Sequence, residues 1–139
     1  MDRLVHYYFT PLSPYTSLGH QRFVDIARRP DPPIAVKPVA LARVFPLPRT
    51  PPPRPPPPPP QAYRLIELKR WSSWLHLPLN LHPAHFPVSG DLASKWILAA
   101  LEQGADTALE FAGALGRAVW AEERNIADRE TVAVIAAAQ

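Results

Sequence analysis

The sequence predicts an α/β fold that opens as a β-α-β unit and continues in helices, and three features carry that expectation. An apolar run from Leu4 to Thr10 is closed by Pro11, and a Ser13-Pro14 pair follows it directly. A second β-rich run, Ile34 to Leu41, comes after a stretch long enough for about four helical turns. From Gln61 onward apolar residues recur at helical spacing. At 139 residues the chain is near the usual size of one domain.

Residues 4–10 (LVHYYFT) are β-branched or aromatic on both faces, the pattern of a short buried strand. Ser13 is a natural N-cap, and Pro14 suits the first helical position because the missing N–H has no intrahelical partner there. A helix over residues 13–29 is predicted, with Leu18, Phe23, Ile26 and Ala27 on its apolar side. Arg28 and Arg29 in its last turn complement the helix dipole. Asp31-Pro32-Pro33 breaks the chain. In the second strand, Ile34–Leu41, Pro38 lacks a ladder donor and marks an edge or an end. Strand, helix and strand in this order imply a parallel pair with a right-handed crossover. The crevice at the carboxyl end of the first strand then coincides with Ser13.

Of the 20 prolines, 11 lie between Pro46 and Pro60. Pro51 to Pro60, interrupted only by Arg54, favours polyproline II at about 3.1 Å per residue, so the run is roughly 30 Å long and cannot be core. Arg49-x-x-Pro52-x-x-Pro55 and Arg54-x-x-Pro57-x-x-Pro60 match an SH3-type ligand pattern. Any proline run produces such matches, which favours a low-complexity insertion. A helix with a broad apolar stripe (Tyr63, Leu65, Ile66, Leu68, Trp71, Trp74, Leu75) starts at Gln61 and ends by Leu77-Pro78-Leu79. Further helices are expected from Leu92 to Gln103, from Thr107 to Glu123 and from an Asp128 cap. The organisation is thus an N-terminal β-α-β unit (1–45), a polyproline linker (46–60) and a helical domain (61–139).

The absence of cysteine excludes disulfides, thiolate metal sites and cysteine nucleophiles, so any thiol chemistry must use a thiol that arrives with a ligand. The net charge of +3 combines 12 Arg with 3 Lys. Residues 1–61 carry 8 basic and 3 acidic groups, residues 62–139 carry 7 and 9. No stretch interleaves basic and aromatic residues, so the balance suits a small anionic ligand better than a nucleic acid. No run resembles a signal peptide or approaches the ~20 apolar residues of a membrane span, and a soluble cytoplasmic protein is expected. His6, His20, His82 and His85 lack acidic or cysteine companions and read as solvated or satisfied side chains, with no metal site. Trp71, Trp74, Trp96 and Trp120 read as core in preference to a roof over an aromatic ligand. Glu122-Glu123 reads as a solvated helix end.

Ser13 is the candidate site residue. Read plainly, it is a good cap. A helix N-terminus directly after a buried strand also stabilises an anion and lowers the pKa of a thiol placed there. The stretch Tyr7-Tyr8-Phe9-Thr10-Pro11-Leu12-Ser13-Pro14-Tyr15-Thr16-Ser17-Leu18 resembles the first strand, serine and helix start of 2-hydroxychromene-2-carboxylate isomerases, relatives of kappa-class glutathione transferases within the DsbA-like thioredoxin fold. Leu41-Ala42-Arg43-Val44, Glu67-Leu68-Lys69-Arg70-Trp71 with Leu77-Pro78-Leu79, and Ala118 to Asp128 agree in the same order.

The resemblance implies a partial thioredoxin-like fold (β-α-β) with a helical insertion, the family's C-terminal half-sheet being absent from this sequence. It further implies glutathione as cofactor, with Ser13 both catalytic and cofactor-binding in place of the redox cysteine. The serine hydroxyl would hydrogen-bond the glutathione sulfur while the thiolate attacks a small aromatic carboxylate substrate. A homodimer is left open. So are two other activities: a kappa-type transferase that shares the serine, and a shortened family member without turnover.

Overall fold

The computed structural model describes residues 4–28, 32–44 and 61–139. Strands β1 (Val5–Phe9) and β2 (Ile34–Pro38) are parallel, in register from Val5 opposite Ile34 to Phe9 opposite Pro38, with helix α1 (Pro14–Arg28) between them in sequence. The α/β class and the β-α-β opening are as the sequence predicts. β2 stops three residues short of the expected Leu41. Pro38 offers no N–H, the Val39 N–H closes the ladder on the Phe9 carbonyl at 2.7 Å, and the chain turns into a short helix, α2 (Leu41–Val44). The proline run lies outside the described residues.

The second segment comprises α3 (Gln61–Leu75), α4 (Asp91–Ala100) continuing as a 3-10 turn over Leu101–Gln103, α5 (Ala105–Trp120) and α6 (Arg129–Ala137). Gly104 separates α4 from α5 at φ 121° and ψ 159°, a backbone region that glycine alone enters without strain. α5 ends at Trp120, before the expected Glu123, which adopts φ 56°. Asp128 caps α6 by accepting the Thr131 N–H at 2.8 Å, as predicted from the sequence. That bond to the ionised form holds the Asp128 carboxyl below its ordinary pKa. Among the described residues no helix is long and apolar enough to cross a membrane.

The core is built around α5, where Leu109, Phe111, Leu115, Val119 and Trp120 are buried. Phe9, Val24 and Val36 of the β-α-β segment belong to the same apolar cluster, as do Ile97 of α4 and Val132 of α6. One core therefore serves both segments. α1 sits unusually close to α5 because two glycines face it. A Cβ at Gly116 would stand 3.2 Å from Ser17 Oγ, and one at Gly113 would stand 3.0 Å from the His20 ring.

His20 is the buried polar residue of this interface. Its Nε2 lies 2.8 Å from the Leu109 carbonyl and its Nδ1 lies 3.0 Å from the Tyr7 hydroxyl. A carbonyl can only accept, so Nε2 carries the proton and Nδ1 accepts from Tyr7. Burial lowers the His20 pKa and pushes that of Tyr7 up to about 12, which keeps both groups neutral. Tyr7 also stacks on Phe23 with ring centroids 4.1 Å apart.

Several side chains of the expected apolar faces lie outside the core, Tyr63 and Ile66 among them. Ile26 is exposed because the inward face of α1 is set by His20, Val24 and Ala27, a row that excludes it. Trp71 and Trp74 are exposed on α3, whose buried contribution comes from Leu68. Trp120 is fully buried and Trp96 packs against the core, as expected.

Candidate functional site

Ser13 sits where the sequence puts it, immediately before the first residue of α1. Its N–H donates to the Thr10 carbonyl at 3.2 Å, which fixes the turn out of β1. Its carbonyl accepts from Ser17 N–H at 3.0 Å, and its Oγ accepts from Thr16 N–H at 3.2 Å. The cap uses a lone pair of the hydroxyl oxygen and leaves the hydroxyl hydrogen to be donated elsewhere. Both roles of Ser13, cap and donor, are compatible at one atom. Pro14 has no N–H, so Tyr15 carries the first amide of the helix.

A cavity of about 540 Å³ opens beside Ser13. Its floor is the carboxyl end of the parallel pair with the turns that follow, represented by Thr10, Leu12, Val39 and Leu41. Its far wall is the segment from Phe86 to Asp91, which leads into α4. That wall approaches closely, since a Cβ at Gly90 would meet Leu12 Cδ1 at 3.2 Å. The N-termini of α1 and α4 therefore converge on one space, and each contributes partial positive charge. Arg43 and Arg64 add two guanidinium groups at the rim, against the single carboxylate of Asp91. Arg43 lies 3.9 Å from Asp91, an exposed pair of little energetic weight.

Tyr15 also lines the cavity, and its hydroxyl donates to Glu67 Oε2 at 2.7 Å. Desolvation, and then the Glu67 carboxylate, raise the Tyr15 pKa, so the phenol stays a donor. The result is an electropositive pocket with apolar walls and one hydroxyl at a helix N-terminus. It can hold an anion, or a thiol that ionises on binding.

Sequence reasoning located Ser13 and missed the side chains that face it. Arg43, Arg64 and the Phe86–Asp91 wall come from segments about 30 to 80 residues away, and Ser89-Gly90-Asp91 carries only the signal of a helix start. The histidines are dispersed: His6, His82 and His85 are exposed, and His20 is buried between Tyr7 and Leu109. Among the described residues no group of three or more His, Cys, Asp or Glu is placed to hold a metal. Glu122 is exposed. Glu123, though exposed, accepts from the Asn80 amide and from the Ala84 N–H, pinning the loop after α3 to the end of α5.

Residues 4–139 match the family model described as the DSBA-like thioredoxin domain. A solved structure of 2-hydroxychromene-2-carboxylate isomerase superimposes with a TM-score of 0.67 at 22% identity, covering 98% of this chain and 65% of that one. The chain thus spans about two thirds of the length of that structure. No curated protein sequence matches the chain.

Proposed function

Because this chain belongs to the DSBA-like thioredoxin domain family, we propose that it is a glutathione-dependent isomerase of the 2-hydroxychromene-2-carboxylate type, serving aromatic-compound degradation in the cytoplasm. The observation that carries the reading is Ser13: its hydroxyl caps α1 while retaining a hydrogen to donate, beside a cavity that carries cationic groups. The charges of the cavity suit glutathione. That tripeptide has two carboxylates, one ammonium and one thiol, and the cavity offers Arg43 and Arg64, Asp91, and the Ser13 hydroxyl. With no cysteine in the chain, the reacting sulfur has to be exogenous.

When bound, glutathione would supply the thiolate nucleophile for the isomerisation. Ser13 donates its hydroxyl to the sulfur and so favours the ionised form, and the α1 N-terminus favours it further. A serine with no neighbouring base is a poor nucleophile, so its role is that of donor and not of attacking group. Arg43 and Arg64 hold carboxylates by charge-assisted hydrogen bonds. Leu12, Val39, Phe86 and Val88 give the aromatic ring an apolar wall and reduce water near the thiolate, which strengthens every charge interaction there.

The test is glutathione binding by calorimetry, combined with isomerisation of a chromene carboxylate with and without glutathione. Binding and strict glutathione dependence are expected. Ser13→Ala should cost about 1.5–3 kcal/mol, the worth of a hydrogen bond to a charged group, or roughly 10- to 150-fold in rate. Conjugation of an electrophile in place of isomerisation would identify a kappa-type transferase. Failure to bind glutathione at millimolar concentration would overturn the proposal and leave a family member without turnover.

A further inference from the structure

The Ser13 site leaves two features unused, the outer face of α3 and the proline run that precedes it. α3 is apolar on both sides. Leu68 is buried and Leu65 and Leu75 are half-buried, whereas Tyr63, Ile66, Trp71 and Trp74 remain exposed, Trp71 by 45% and Trp74 by 61%. Helical spacing aligns residues 63, 66, 70 and 74 in one row with 67 and 71 beside it. The Trp71 and Trp74 rings meet edge to face at 5.5 Å, and the Arg22 guanidinium of α1 covers one face of Trp74 at 5.4 Å from its centroid. Tyr63, Ile66, Trp71 and Trp74 line a groove of about 1020 Å³ whose charged side chains are Glu67, Lys69 and Arg70. A contiguous exposed aromatic face of this kind marks an interaction site.

We propose that this groove docks the proline run Pro51–Pro60 of a second copy of the chain, giving a dimer with two reciprocal contacts. The proposal stands apart from the glutathione reading. Polyproline II segments are stiff before they bind, lose little entropy on docking, and are recognised by aromatic-lined grooves. The lengths agree: Tyr63 to Trp74 spans roughly 16 Å along the helix, which about five residues of polyproline II cover. The run is ten residues long. The occupant comes from another copy because the run ends at Pro60, directly before Gln61 opens α3. To lie on its own helix the stiff run would have to reverse direction with no residue left to make the turn.

Analytical ultracentrifugation over about a hundredfold dilution tests the proposal through mass action. A dimer that dissociates on dilution is expected. Replacing residues 51–60 by a Gly-Ser linker of equal length, or combining Trp71→Ala with Trp74→Ala, should each weaken it at least about tenfold, the loss typical of aromatic anchors. Mixing the two variants should restore association, since one retains the groove and the other the run. A synthetic peptide of residues 49–60 should shift the tryptophan emission of the linker variant to the blue. Because Trp71 and Trp74 are exposed, circular dichroism should confirm that their replacement leaves the folding unchanged. A chain that stays monomeric at every concentration overturns the proposal, as does a dimer that survives both changes. A monomer whose tryptophan emission nonetheless responds to the linker would place the run on its own copy and likewise overturn it.

Discussion

At the scale of single residues, Ser13 and His20 show how one side chain does two jobs. Ser13 uses one lone pair for the cap and keeps its hydrogen, so a probe of the site must separate capping from electrostatics. Ser13→Cys does so, because it installs the sole thiol of a chain without cysteine. Its pKa should fall well below the ordinary ~8.5, as at other helix N-termini. Thiolate absorbance against pH measures it, and an unshifted value would remove the electrostatic basis of the site. His20 gives a second prediction. Its pKa is lowered in the folded state chiefly by burial, so below about pH 6.5 the unfolded chain binds a proton that the native chain refuses. The contribution of neutral His20 is therefore complete above that pH and declines as the pH falls through it. His20→Gln can still donate to the Leu109 carbonyl and accept from Tyr7, and it should flatten this part of the denaturation profile. A wild-type profile flat between pH 7 and 5 would show that His20 is not the proton-linked group.

Among the elements, the α1–α5 contact is set by what is absent from two α5 positions. Gly116 is buried, and a Cβ there would stand 3.2 Å from Ser17 Oγ and 3.3 Å from Ser17 Cβ, so Ser17 would have to give way by a few tenths of an ångström. Gly116→Val should separate the helices and cost about 1–3 kcal/mol by overpacking. Gly19, in mid-α1 with nothing within 4 Å of a Cβ, behaves oppositely. Gly19→Ala should stabilise by about 0.5–1 kcal/mol through the loss of unfolded-state entropy. Chemical denaturation of the pair checks both signs, and equal effects would mean that the close approach carries no weight. Element starts were legible in the sequence because their causes are local, Ser13-Pro14 and Asp128 being caps, whereas β2 and α5 each end three residues before the expected Leu41 and Glu123. Buried faces were less so. α3 carries large apolar groups on opposite sides, and periodicity cannot say which side a neighbouring element will cover, so the pattern that points Trp71 and Trp74 inward fits an outward orientation equally well. The cavity was legible only at Ser13, since the residues facing it are brought there by tertiary packing.

For the molecule as a whole, the decisive feature is that the β-α-β segment and the helical segment share one apolar cluster, although a proline run separates them in sequence. Val36 of β2 is 4% exposed and packs with side chains of α4 and α5. All four tryptophans belong to the helical segment, so tryptophan emission reports on that segment alone. If the segments fold as one unit, Val36→Ala should lower the midpoint seen by tryptophan emission as much as the one seen by far-ultraviolet circular dichroism. The expected loss is about 1–2.5 kcal/mol for two buried methyl groups and the space they leave. That corresponds to roughly 3 °C in Tm per kcal/mol for a chain of this size. Coincident transitions by both probes, in wild type and variant, are the signature of a single cooperative unit. A tryptophan transition indifferent to Val36→Ala would mean instead that the helices hold together without the strands, and that the floor of the Ser13 cavity can open while its far wall stays folded.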